Sequence, residues 1–148
     1  MYKHILLPTD GSRLAGKAVK QGIALAKSLK AKVTVVNVTP EFQMVIDEGF
    51  VIPNAMMLKK RFIEETTRHA GKIVAAVKAA AHSAGVKCEA VTVASERPYE
   101  AIIHQARKSK CDLIMMASHG RKGLQSILLG SETSKILTHS KIPVLVVR

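Results

Sequence analysis

The sequence predicts an α/β protein, a single open parallel sheet with helices on both faces. Two observations carry that reading. Apolar runs of strand length alternate strictly with longer stretches of helical periodicity, the pattern of βαβ crossovers. The apolar residues are chiefly Ile, Leu, Val, Met and Ala, with aromatics at 3% and no Trp, a composition usual for parallel sheets flanked by helices and less so for β-sandwiches.

His4-Ile5-Leu6-Leu7-Pro8 reads as the first buried strand. It ends at Thr9-Asp10-Gly11-Ser12, where Gly11 gives the turn a permissive backbone and Ser12 suits an N-cap. From about Arg13 to Lys30, small or apolar residues at 15, 18, 19, 22, 23, 25, 26 and 29 make one helical face, opposite Lys17, Lys20, Lys27 and Lys30. The β-branched run Lys32 to Val38 is the second strand, closed by Pro40. Residues 41–55 are the least regular. Phe42, Val45, Ile46, Phe50, Val51 and Ile52 make them too apolar for a solvated linker, so they are expected to pack on the sheet edge, a partner subunit or a ligand.

A long helix is predicted from about Met56 to Ala84, with Leu58, Phe62, Thr66, Ala70, Ile73, Val77, Ala80 and Ala84 inward and Gly85 as its C′ stop. Val86 to Val93 alternates as a third strand. Pro98 opens the next helix, which turns Tyr99, Ile102, Ile103 and Ala106 inward and ends near Lys108-Ser109-Lys110. Asp112 to Met116 is the fourth strand, a helix covers roughly 131–139, and Pro143 to Val147 is the last strand. No linker, repeat or low-complexity tract interrupts this order, so residues 1–148 read as one domain, enough to bury a real core.

The net charge is +12, a field that attracts phosphates of any kind. The cations are scattered and not interleaved with aromatics, so a solubilising surface is favoured over a dedicated nucleic-acid face. Cys88 and Cys111 form no CxxC pattern and read as two reduced, buried thiols. The N-terminal apolar run is too short for a signal peptide, and no run approaches a membrane span, which points to the cytoplasm.

In open parallel sheets ligands bind beyond the C-terminal strand ends. Three groups fall there: Pro8 to Ser12, Val38-Thr39-Pro40, and the stretch Ala117 to Ser131. The last joins a strand to a helix N-terminus through Gly120, Gly123 and Gly130, with Arg121 and Lys122 between, a chemistry that suits a phosphate cradle. Asp10 is either an acceptor for a base or ribose or simply the turn residue serving Gly11 and Ser12. His119 is a phosphate donor, a base or a bystander. The loop matches neither G-x-G-x-x-G nor G-x-x-x-x-G-K-[ST]. The six His and two Cys lack metal-ligand spacing, and no Ser sits in a G-x-S-x-G elbow. Fast phosphoryl transfer would need a Mg²⁺ carboxylate and a positioned base, so any such reaction is expected to be slow and incidental.

At Ala117-Ser118-His119-Gly120, nine residues, then Gly130-Ser131, the sequence resembles the universal stress protein family, whose nucleotide-binding members carry Gly-x2-Gly-x9-Gly-[Ser/Thr]. Ile5 to Ser12, Asp112 to Met116, Leu128 to Ser131 and Pro143 to Val147 also resemble the family, so the likeness runs the length of the chain. It implies five strands in the order 3-2-1-4-5, with strands one and four flanking the cleft, and ATP or a related ADP or AMP ligand, with or without Mg²⁺. By the family pattern, Asp10 and the backbone of Val38 hold the adenine, Pro8 and Thr9 line that end, and Met116 and Ala117 approach base and ribose. Gly120, Gly130, Ser131, Glu132 and Thr133 take the phosphates. The family's first glycine is Ala117 here, which suffices if the position need only be small and not adopt φ > 0.

The resemblance thus implies a nucleotide-regulated stress-response protein acting on a downstream protein. The uncharged last strand, at the sheet edge in this topology, invites homodimerisation through Val144 to Val147. The alternative is a module of the same fold that has lost nucleotide and recruits protein or nucleic acid.

Overall fold

The structure is a computed structural model, and it describes residues 1–44, 52–120 and 129–148. Five strands and four helices alternate: β1 (His4–Pro8), α1 (Arg13–Leu29), β2 (Lys32–Thr39), α2 (Ala55–Ser83), β3 (Cys88–Ala94), α3 (Pro98–Lys108), β4 (Leu113–Ala117), α4 (Ser131–His139) and β5 (Val144–Val147). All pairings are parallel, in the order β3-β2-β1-β4-β5. The expected fold class and strand order are both observed.

The two faces follow from the period-2 alternation along β1. Ile5 and Leu7 point to the layer made by Ala18, Val19, Ile23 and Ala26 of α1 and Val74 and Ala81 of α2. Leu6 points to the opposite layer, where Ile102, Ile103 and Ala106 of α3 and Ile136 of α4 cover it. Both cysteines are free and buried, Cys88 in the first cluster and Cys111 in the second, on opposite faces of the sheet. Burial pushes the Cys111 thiol up to about 12, against a hydrogen bond with Thr34 that favours the thiolate.

α2 departs from expectation. Its buried residues are Ala70, Val74 and Ala81, whereas Leu58, expected inward, is exposed, as is Ala80. The helix has 29 residues, about 43 Å at 1.5 Å per residue, while eight-residue β2 spans about 26 Å. Its first turns therefore overrun the sheet. Of residues 41–55, Phe42 packs against Phe62 of α2 with ring centroids 5.4 Å apart and planes tilted by 58°, whereas Val45, Ile46, Phe50 and Val51 lie outside the described residues. Among the described residues, no helix is long and apolar enough to cross a membrane.

Candidate functional site

The strand order reverses between β1 and β4, and there the sheet opens. Their ladder has two pairs, Ile5 with Leu113 and Leu6 with Ile114, whereas β1 and β2 share five, His4 with Lys32 through Pro8 with Val36. Above the gap lies a cavity of about 510 Å³, within the range of small-molecule sites. All eleven residues expected at the site line it: Pro8, Thr9, Asp10, Val38, Met116, Ala117, Gly120, Gly130, Ser131, Glu132 and Thr133. So do Ala15, Val36, Pro98, Ile102 and His119. Arg121, Lys122 and Gly123 lie outside the described residues.

One wall is the end of β1 and its turn. The Thr9 N–H donates to Val36 O at 2.9 Å, and buried Asn37 Nδ2 donates to Thr9 O at 2.8 Å. Asn37 thus fixes the wall without lining the cavity, a role that nothing in the sequence signalled. Asp10 Oδ1 accepts from Ser12 N–H at 2.9 Å, and Ser12 Oγ caps α1 by accepting from Ala15 N–H. The turn role of Asp10 is therefore real, and its other oxygen turns toward Gly120. A Cβ on Gly120 would lie 2.9 Å from Asp10 Oδ2.

β2 runs past β1. Val36, the last residue paired with β1, sends its carbonyl to that side. By the two-residue period of a strand, the N–H and C=O of Val38 project the same way, beyond the end of β1 and over the cavity. A backbone donor and acceptor side by side suit the edge of a planar heterocycle. Met116, Ile102, Val36 and Pro98 supply the apolar surface around it.

The opposite wall is β4 and the start of α4. Ala117 is the last residue of β4, paired with Val147, and it is absent from the positive-φ positions Lys30, Asn54, Lys110, Gly11 and Gly85. Its methyl therefore costs no backbone strain. Gly130, the N-cap of α4, has φ −66° and ψ 155°, open to any residue. It must be small instead: a Cβ there would meet Ser118 O at 3.2 Å and His119 Cα at 3.4 Å, both backbone atoms. Gly130 N–H also donates to Ser118 O at 2.7 Å. Close backbone approach thus accounts for Gly130, while Gly120 faces the Asp10 carboxylate.

α4 begins without a side-chain cap. Its first backbone bond is Ser134 N–H to Gly130 O at 3.0 Å, so the N–H groups of Ser131, Glu132 and Thr133 precede the internal ladder, with the positive end of the helix dipole behind them. The side chains of the last two are engaged elsewhere. Buried Thr133 Oγ1 donates to Ala117 O at 3.1 Å. Glu132 Oε2 accepts from Tyr99 N–H at 2.8 Å and Oε1 from Lys135 Nζ at 3.1 Å. Glu132 therefore caps α3, and what it and Thr133 offer an anion is backbone. His119 Nδ1 lies 3.0 Å from Ser118 Oγ, and its Nε2 is buried without a hydrogen-bond partner.

A doubly wound sheet with an apolar crevice at its switch point, closed by a glycine-lined helix N-terminus, defines a small-molecule-binding α/β protein. The chain matches the model of the Universal stress protein family over residues 1–148, and it belongs to that family. It is 34% identical over 148 residues to universal stress protein MJ0531 of Methanocaldococcus jannaschii, covering 100% of this chain and 83% of that one. Universal stress protein MJ0577 of the same organism is 32% identical over 157 residues, covering 100% and 96%. The MJ0577 structure matches with a TM-score of 0.84 at 33% identity, covering 99% of this chain and 96% of that one. A crystal structure of a universal stress protein in complex with cAMP matches with a TM-score of 0.70 at 24% identity, covering 99% and 97%.

Proposed function

We propose that this protein binds an adenine nucleotide in the β1/β4 cavity, as a ligand that sets its conformation or its choice of a downstream protein partner. ATP is the first candidate and ADP or AMP the alternatives, with or without Mg²⁺. The observation that carries the reading is the uncapped N-terminus of α4, packed at Gly130 so closely on the end of β4 that a Cβ would meet Ser118 O at 3.2 Å, and facing an apolar crevice edged by the Val38 backbone. In this reading Val38 and Asp10 hold the base, Pro8, Thr9, Met116 and Ala117 enclose base and ribose, and Gly120, Gly130, Ser131, Glu132 and Thr133 cradle the phosphates through backbone N–H groups. The orphaned Nε2 of His119 adds a polar atom that a ligand could satisfy. Solved structures of the same fold are described in complex with cAMP, with dAMP and, for a protein of Arabidopsis thaliana, with AMP. Their identities of 24%, 17% and 14% lend the fold, so the reading rests on this chain's own cavity.

Calorimetric titration with ATP, with and without Mg²⁺, tests it. One site per chain with Kd below about 1 mM, −4.1 kcal/mol, is expected. No heat and no nucleotide released on denaturing the purified protein would overturn it in favour of an interaction module of the same fold. Hydrolysis should remain far below ordinary turnover of about 1 s⁻¹. Ala117→Gly should change affinity by less than about threefold, under 1 kcal/mol, because Ala117 already has strand geometry.

We also infer a homodimer through β5, which pairs only with β4 and leaves Leu145 exposed at the sheet edge. Light scattering should give twice the 16.0 kDa chain mass, and a monomer would remove this assembly.

A further inference from the structure

The two helical layers differ in charge. α1 carries four Lys or Arg and no carboxylate, and α2 carries six against Glu64 and Glu65. α3 and α4, on the other face, carry three against two. The buried stripe of α2 also continues past the sheet. Met56 and Ile63 fall two heptads and one heptad before Ala70, on the same face, yet they are 85% and 46% exposed. Met57 and Leu58, about 100° and 200° further round the helix, are 55% and 48% exposed, so apolar side chains ring the tip and do not form one stripe. Lys59, Lys60 and Arg61 are interleaved around the helix, and among the described residues only Lys60 is near a carboxylate, Glu64 at 4.0 Å. Because α2 returns from the end of β2 to the start of β3, this tip stands at the same edge of the sheet as the cavity.

We propose that the first two turns of α2 are a peripheral docking surface for an anionic lipid bilayer met end-on, with Met56, Met57 and Leu58 entering the headgroup region and Lys59, Lys60 and Arg61 pairing with lipid phosphates. The combination selects this occupant. A nucleic acid would use the cations and leave the methionines in water. A second copy set tip to tip would bring like charges together. A bilayer with anionic headgroups takes both, since lysine and arginine stems lie along apolar surface while their charged ends stay at the interface. The proposal does not depend on nucleotide binding.

The test uses vesicles of phosphatidylglycerol and phosphatidylcholine, with pure phosphatidylcholine as reference. The chain lacks Trp, so Leu58→Trp is a single-site reporter. Its emission should shift to the blue on anionic vesicles and be quenched by lipids labelled within the acyl chain. Met56→Ser with Met57→Ser should lower vesicle partitioning about tenfold with circular dichroism unchanged, and Lys59→Glu with Lys60→Glu should do the same. Three outcomes would overturn the proposal: no sedimentation with anionic vesicles, water-like Trp emission in the bound state, or binding indifferent to the methionine substitutions. Duplex DNA binding tighter than vesicle binding, and equally indifferent, would assign the surface to nucleic acid instead.

Discussion

The lower and upper rims of the sheet are made by the same elements, yet they end them in opposite ways. At the lower rim three helices stop identically. The N–H of Ala31, Val86 and Cys111 reaches back to the carbonyl of Ala26, Ala81 and Ala106 at 2.8, 2.9 and 2.8 Å, behind a left-handed Lys30, Gly85 or Lys110. This is the Schellman stop, and it satisfies the last carbonyls of each helix internally. Side chains complete the rim: Asp112 accepts from the N–H of Lys3 and His4 at 2.8 and 2.9 Å, and buried His4 Nε2 meets Thr34 Oγ1 at 2.8 Å. At the upper rim the helix starts differ, and α2 begins on Asn54 without a side-chain cap. Ser12 caps α1, Glu132 from another helix caps α3, and α4 begins on Gly130 without a side-chain cap. Polar groups spent inside the chain serve stability, and those left over are what a ligand can use.

The largest expected break in this contrast is Gly130→Asp. Its Cβ would press on the backbone of Ser118 and His119, and its carboxylate would fill the proposed phosphate cradle. Nucleotide affinity should fall by about 100-fold or more, 2.7 kcal/mol, with helical circular dichroism retained. Undiminished affinity in calorimetry would show that the cradle lies elsewhere.

The lower rim should respond in stability alone. Asp112→Ala leaves two backbone N–H groups without their acceptor and should cost about 1–3 kcal/mol in urea unfolding, while nucleotide affinity stays constant. Acid should separate two groups of this rim. Burial, then the charge of Lys32, holds the His4 pKa below 6.5. The unfolded chain therefore takes up that proton first, and stability should decline as pH falls below about 6.5. For Asp112, burial acts to raise the pKa, but the N–H groups of Lys3, His4 and Asp112 itself outweigh it and hold it below 3.8. Its contribution should persist until pH falls below about 4. His4→Gln should flatten the earlier decline and leave the later one. An unchanged profile between pH 7 and 5 would contradict the assignment to His4.

The same contrast explains what was legible in the sequence. Strands and helices announced themselves because their periods are local: β1 and α4 were readable from His4 to Pro8 and from residue 131 to 139. The Gly85 stop was readable because its chemistry is local too. What escaped reading depends on contacts across the sheet. Asn37 looks like one polar residue in a β-branched run until Thr9 lies beside it. Glu132 looks like a phosphate-facing first-turn residue until α3 packs close enough to take its carboxylate. Leu58 fits a helical stripe, but the period does not say where the sheet beneath it ends. The cavity's apolar wall was missed for the same reason, since Val36 belongs to β2 and Pro98 and Ile102 to α3 on another stretch of chain. The expected site residues were nevertheless brought to one cavity, because all of them lie at or just beyond the C-terminal end of a strand or open the next helix.

The smallest expected effect sharpens the comparison from the lower rim. Lys30 and Lys110 both occupy the left-handed region, at φ 55°, where a side chain costs about 1–2 kcal/mol and glycine next to nothing. Glycine loses more chain entropy on folding, about 0.5–1 kcal/mol, and either substitution gives up a cation near a helix C-terminus. The balance predicts that Lys30→Gly or Lys110→Gly stabilises the protein by about 0.5 kcal/mol, a rise in Tm of about 1–2 °C. Gly85→Ala, at φ 78° with no atom within 4 Å of the added methyl, should lose about 1 kcal/mol through backbone strain alone. If all three changes leave Tm unmoved, backbone conformation is not what distinguishes these stops. None of the three should alter nucleotide affinity, because the Schellman turns lie at the rim opposite the cavity.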